Sequence, residues 1–174
     1  LSRVTLSRLV SEGRLLKLSL GLYSLPDRVV TEQDNLAEVA IKYPNSVFCL
    51  LTALQIHGLT TQSPHQVWLA IDVKARLPRM DYPPLKVVRF SSEALEAGAE
   101  SVRIDGVVSV LVTSIEKTIV DCFKYRNKIG HDIAIEALQE AWRSKRMSMD
   151  KIWEYATICR VSNVMRPYLE SLNG

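Results

Sequence analysis

The sequence predicts an α+β chain: a partial N-terminal winged helix-turn-helix over residues 1–28, then a mixed α/β body over 29–174 with a helical C-terminal half. Three features of the sequence carry this. A short amphipathic helical pattern is followed at once by a hairpin pattern, strand-length apolar runs crowd the interval 67–112, and the hydrophobic period turns helical after Thr113 and stays so. At 174 residues, 47% hydrophobic and 24% charged, the chain is long enough for a real core, and at roughly 150 residues per domain it is sized for one domain or one plus a small appendage. Disordered, fibrous and low-complexity classes do not fit this composition.

Ser2 is placed to cap a helix from Arg3 to Glu12, with Gly13 as the left-handed terminator. Leu6, Leu9 and Val10 gather on one side of it, while Arg3, Val4, Ser7, Arg8 and Ser11 spread over the other. Residues 14–18 and 22–25 read as two short strands joined by Ser19-Leu20-Gly21 and closed by Pro26. Residues 27–31 break the pattern and form the candidate linker. Thr31 then caps a helix with Glu32 and Asp34 in its first turn, Leu36, Val39 and Ala40 on its inner side and Pro44 as its stop. A second helix is expected from Ser46 or Val47 through Leu50, Leu51 and Leu54 to His57, ended by Gly58. The near-continuous apolar runs 67–71 and 85–90 read as central strands around a proline-rich loop, and 101–104 and 107–112 flank the hairpin signal Asp105-Gly106. These four strands predict one mixed sheet. Helices follow over 115–126, 133–143, from Ser148 through Ala156, and around Val164 to Leu172, with Pro167 in the first turn of the last or kinking it. Trp68, Leu69, Ile71, Val87, Val88, Val110, Ile119 and Phe123 are the candidate core.

Charge is unevenly placed. Residues 1–28 hold five basic side chains against two acidic ones, and the other 146 residues balance. A basic excess confined to a helix and hairpin is the footprint of a polyanion-binding element. Arg3, Val4, Thr5, Ser7 and Arg8 offer the side-chain types that read base edges and phosphates, and Arg14 and Lys17 on the hairpin are placed to straddle the adjacent backbone. Arg3, Thr5, Ser7, Arg8, Arg14 and Lys17 are therefore the candidate DNA contacts, and Tyr23 fits either a phosphate contact or the core. Lys124, Arg126 and Lys128 bring three cations to a helix end, which suits the helix dipole and also makes a second polyanion patch.

Other chemistry is thinly supported. Three widely spaced cysteines, Cys49, Cys122 and Cys159, read as buried free thiols, and three isolated histidines lack metal-ligand spacing. No metal and no cofactor are expected. Asp72 and Asp121 could meet as paired carboxylates, which leaves a nucleotide- or RNA-processing enzyme with its site in the α/β body as the alternative reading; converging carboxylates in a cleft near Asp72 would mark it. A protein-interaction module without DNA binding is a third. With no long apolar run, neither a membrane partner nor a secretory signal is expected, and the cytoplasm is the default compartment.

Gly21-Leu-Tyr-Ser-Leu-Pro26, His57-Gly-Leu-Thr-Thr-Gln62 followed by Val67-Trp-Leu-Ala-Ile71, Asp81-Tyr-Pro-Pro-Leu85 with Val87-Val-Arg-Phe90, and the block from Lys117 to Gly130 together resemble the AbiEi family of bacterial antitoxins. The resemblance covers most of the chain and implies a non-enzymatic antitoxin of a type IV toxin–antitoxin system. It implies a winged helix that represses its own operon by binding an inverted repeat, and a C-terminal domain that counters a nucleotidyltransferase-type toxin without a stable complex. Lys124, Arg126 and Lys128 are the cations assigned to that second task. In two respects the sequence departs from the pattern: it begins at the recognition helix, with the helices expected ahead of it missing, and Leu20 stands at the wing tip where a basic residue is expected.

Overall fold

The computed structural model describes residues 1–172. Helix α1 spans Arg3–Ser11, and Ser2 caps it, its Oγ accepting the Thr5 N–H at 3.2 Å. The chain leaves α1 through Gly13 at φ +69°, a conformation that favours glycine, while the Arg14 and Leu15 N–H groups both donate to the Leu9 carbonyl, at 2.9 and 3.1 Å. Strands β1 (Leu16–Ser19) and β2 (Leu22–Ser24) then pair antiparallel with Lys17 opposite Tyr23. The predicted helix and hairpin are thus present, with ends shifted by a residue or two. No residue of α1 is fully buried.

Helix α2 covers Glu32–Lys42 and starts in a capping box: the Thr31 N–H donates to Asp34 Oδ2 at 2.7 Å. Strand β3 (Val47–Phe48) and helix α3 (Leu50–Ile56) follow, then β4 (Val67–Asp72), β5 (Leu85–Phe90), α4 (Ser92–Glu96), β6 (Ala99–Ile104) and β7 (Val108–Thr113). The C-terminal part is helical: α5 (Ile115–Lys124), α6 (Arg126–Ile129), α7 (His131–Arg143), α8 (Met149–Ile158) and α9 (Ser162–Ser171). Pro167 falls inside α9, beyond its first turn.

The sheet of the body has the order β5-β4-β3-β7-β6; β4 runs parallel to β5 and β3 to β7, and the remaining pairs are antiparallel. This is the predicted mixed α/β architecture. Alternation along each strand sends side chains to opposite faces. Trp68 and Ala70 of β4 join Val88 and Phe90 of β5 in a core with α3, α5, α7, α8 and α9, whereas Val67 and Leu69 join Phe48, Val110 and Val112 beneath α2. Because helices cover both faces, β4 reads as an unbroken apolar run.

Helix α5 lies at the centre of the larger core, and even its polar residues Lys117, Thr118 and Asp121 are buried. Gly98 makes room for it: a Cβ there would lie 2.6 Å from the Lys117 Cβ. Ser114 caps α5 by accepting the Lys117 N–H at 3.2 Å, and the buried Glu116 accepts the Ser148 N–H at 2.9 Å, at the start of α8.

Several expectations are corrected by the structure. The helix expected to open at Ser46 or Val47 is instead a two-residue strand followed by a helix opening at Leu50. Leu50 breaks the helical path with φ +47°, a left-handed conformation costing a side-chain-bearing residue about 1–2 kcal/mol, and here the residue is fully buried. The sheet consequently has five strands rather than four. A short helix, α4, which the sequence pattern does not predict, precedes β6, and β6 begins at Ala99 rather than Ser101. Of the predicted core residues, Val87 is only half-buried, because β5 is an edge strand; Trp68, Leu69, Ile71, Val88, Val110, Ile119 and Phe123 are all buried.

Candidate nucleic-acid interface

Helix periodicity places Arg3 and Ser7, four residues apart, on one stripe of α1 and Val4 and Arg8 on the next. Arg3, Ser7 and Arg8 are exposed, and Val4 is 80% exposed despite being apolar. Thr5 differs: it is half-buried and its Oγ1 lies 2.8 Å from the Ser2 Oγ, inside the cap. Its hydroxyl serves the helix start rather than the exposed face.

Helix and hairpin meet through a carboxylate, that of Glu12. Glu12, the C-terminal cap of α1, has Oε1 at 3.5 Å from Arg8 Nε and Oε2 at 3.8 Å from Arg14 Nη1. Two guanidinium groups, one from the helix and one from the approach to β1, are therefore gathered on one anion. Both pairs are well exposed, so they are weak and exchange readily for another anion. Lys17 is exposed on β1 as well. Of the six predicted DNA contacts, the structure brings Arg8 and Arg14 together, leaves Arg3, Ser7 and Lys17 free on the surface, and withdraws Thr5. Tyr23 is half-buried opposite Lys17.

The element is anchored to the body in two places. A Cβ at Gly21 would sit 3.7 Å from Ile41 of α2, which marks close approach of the hairpin to that helix. The segment after β2, read from sequence as a linker, is strapped down by Arg28: its Nη2 lies 2.8 Å from Asp34 Oδ1 and 2.9 Å from Asp105 Oδ2, on the β6–β7 turn. Nothing local in the sequence signals this contact, since its partners lie on two distant elements.

The three cations of the second patch are unequal. Lys124 is exposed at the end of α5, and Lys128 is exposed on α6 with Nζ 5.7 Å from the centre of the Tyr125 ring. Arg126 is half-buried and donates from Nη1 to the Phe123 carbonyl at 2.8 Å, capping the last turn of α5.

Asp72 and Asp121 are engaged in separate places. Asp72 accepts the Ser92 hydroxyl at 2.6 Å and the Lys74 N–H at 2.8 Å, bonds that hold its carboxyl below the ordinary range. Both oxygens of Asp121 accept from Lys117 Nζ; burial raises the Asp121 carboxyl, and the lysine opposes that shift. Among the described residues no cluster of three or more His, Cys, Asp or Glu side chains is arranged to hold a metal ion, and no helix is long and apolar enough to cross a membrane. No protein-family model matches the chain, and no curated protein matches it either.

Proposed function

We propose that the chain is a cytoplasmic antitoxin of a type IV toxin–antitoxin system that also binds its own operator DNA, the reading implied by the AbiEi resemblance. One observation carries the DNA-binding half. Helix α1 presents Arg3, Ser7 and Arg8 to solvent and is followed at once by a hairpin bearing Arg14 and Lys17, with Glu12 holding Arg8 and Arg14 together. A phosphate arriving at that pair displaces one exposed carboxylate and meets two preassembled guanidinium groups, an arrangement suited to bidentate contact. Phosphate contacts of this kind supply affinity and register, and Arg3, Ser7 or Arg8 supply base readout when α1 enters a major groove. The antitoxic half rests on the resemblance and on Lys124 and Lys128, whose charges project from the body; the partner is a nucleotidyltransferase-type toxin opposed without a stable complex.

Mobility-shift titration against an inverted repeat upstream of the gene tests the first half. Arg8→Ala is expected to cost about 1–3 kcal/mol on the operator if Arg8 reads a base, with little change on random DNA. Equal losses on both assign Arg8 to phosphate, and no binding by the wild-type protein at low salt refutes the reading. For the second half, the chain is co-expressed with the toxin from a neighbouring reading frame, and growth is scored with and without it.

A further inference from the structure

The near-neutral charge of the body conceals a second asymmetry. Residues 72–90 carry five basic side chains, Lys74, Arg76, Arg79, Lys86 and Arg89, against Asp72 and Asp81. Folding gathers these onto the β5 edge of the sheet and adds Lys42, whose Nζ donates to the Arg79 carbonyl at 3.2 Å. Arg89 fixes the turn bearing Lys74 and Arg76, its Nη1 donating to the carbonyls of Val73 at 3.0 Å and Ala75 at 2.8 Å. The strip continues onto the helical side, because the Tyr125 ring stacks on Phe90 with centroids 5.7 Å apart and Lys128 Nζ lies 5.7 Å from the centre of the Tyr125 ring. Among the described residues, Lys74, Arg76 and Lys86 are exposed and enter no ion pair within 4 Å and no side-chain hydrogen bond; the charge of Lys74 helps to hold the nearby Asp72 carboxyl low, and no such partner accounts for Arg76 and Lys86.

Two further features give the strip more than charge. A hollow of about 520 Å³ opens beside β5, walled by Leu77, Met80, Leu85 and Val87 and flanked by Lys42 and Arg79. Tyr82, in the loop that leads into β5, keeps 67% of its surface exposed. Exposed cations around a sheet edge, with an exposed aromatic ring in the adjoining loop and a hollow of mixed polar and apolar lining beside it, suit a flexible polyanion with planar bases, its phosphates on the cations and a base stacked on the ring. Duplex DNA suits it less, since the strip is a sheet edge and a loop, with no helix projecting toward a groove.

We infer that the β5 edge, with Lys86 near its start and Lys74, Arg76 and Lys128 toward its C-terminal end, is a binding surface for single-stranded nucleic acid, separate from the N-terminal element. This does not rest on the antitoxin reading. The two carboxylates within the strip do not reverse its sign: the hydrogen bonds to Asp72 favour its charged form, but five cations of residues 72–90 stand against Asp72 and Asp81.

Fluorescence anisotropy of the full chain with a labelled oligouridine, a labelled duplex DNA and a labelled polyglutamate peptide tests the inference over a range of salt. The triple variant Lys74→Glu, Arg76→Glu, Lys86→Glu is expected to weaken oligouridine binding roughly a hundredfold at 0.1 M salt and to flatten the log–log salt slope by about 2, since each lost contact with a single strand forfeits about 0.7 of a released counterion. Tyr82→Ala is expected to weaken it about five- to a hundredfold with the slope unchanged. Arg3→Ala with Arg8→Ala, in the N-terminal element, is expected to weaken duplex binding more than oligouridine binding. Should the glutamate triple fail to fold by circular dichroism, the corresponding glutamine triple serves, with the same change in slope. The inference is overturned if the wild type fails to bind oligouridine at low salt, if the triple variant keeps the wild-type affinity and slope, if duplex DNA is preferred and lost with Arg3 and Arg8, or if polyglutamate binds more tightly than oligouridine.

Discussion

Lys117 Nζ lies 2.7 Å from both carboxylate oxygens of Asp121, one helical turn along α5, with both side chains withdrawn from solvent. The ammonium group also sits 4.5 Å from the centre of the Phe90 ring, and the Cys159 Sγ approaches Asp121 Oδ1 at 3.7 Å. Removing one member leaves a buried, uncompensated charge, whereas replacing both by apolar residues of similar volume does not. Asp121→Ala is therefore expected to cost about 3–5 kcal/mol in urea unfolding followed by tryptophan fluorescence, and Lys117→Met combined with Asp121→Leu to recover most of it. A single substitution within experimental error of the wild type would remove the pair from the list of determinants of stability.

The three cysteines are all buried free thiols. Burial raises each thiol above its ordinary value, Cys159 to about 11, with the nearby Asp121 charge adding to the shift. Since the thiolate is the nucleophile, a disulfide reagent is expected to label none of them in the native protein near neutral pH and all of them after unfolding. The sign of the pH effect follows. The folded state favours the protonated thiol, so this contribution is fully present below the ordinary thiol value near 9 and is lost as pH rises through the raised values. A titration of stability that stays flat through alkaline pH, or rapid native labelling, would contradict this.

Arg28 ties the segment after β2 to Asp34 and Asp105, and around it Leu25, Val29 and Val30 are exposed and contribute little packing. Arg28→Ala should lower stability by only about 0.5–1 kcal/mol, as befits a partly exposed pair. Its larger effect is expected in limited proteolysis, as faster cleavage between residues 25 and 31, reproduced in the wild type by high salt. Unchanged cleavage would mean that the contact of Gly21 with α2 is sufficient anchorage.

On the proposed antitoxin reading, the unequal placement of Lys124, Arg126 and Lys128 predicts that stability and toxin neutralisation separate. Arg126→Ala removes a donor to the Phe123 carbonyl and should cost about 0.5–1.5 kcal/mol while leaving growth rescue intact. Lys124→Glu with Lys128→Glu should do the reverse. Rescue that depends on Arg126 at unchanged melting temperature would reassign that residue.

Much of the chain announces itself locally. Ser2, Gly13, Thr31 and Asp105-Gly106 mark their caps and turns because the chemistry that stops an element is contained within it. Errors fall where tertiary context decides. Val47-Phe-Cys-Leu-Leu51 is one apolar run that becomes a strand and then a helix, and the switch lies in the φ of Leu50, which no side-chain pattern encodes. The five residues of α4 are too few for a periodicity to register. At the candidate interface the exposed cations of α1 were legible from helical spacing. That Thr5 turns back into its own cap, that Glu12 collects two arginines, and that Arg28 reaches the β6–β7 turn were not, because each depends on a side-chain path or a distant partner.

Strand β3, though only two residues long, occupies the middle of the five-stranded sheet, pairing Val47 with Ala70, and Phe48 with Leu69 on one side and Val112 on the other. The β4–β5 pair and the β6–β7 hairpin are each assembled from neighbouring segments, so their closure is entropically cheap and early, whereas joining them across β3 requires a long loop to close. Opening those two residues divides the sheet in half. In hydrogen exchange, the Val47 and Phe48 amides that bond across the sheet are accordingly expected to behave like the longest-lived protons of the protein, released with global unfolding and not by fraying of a short strand.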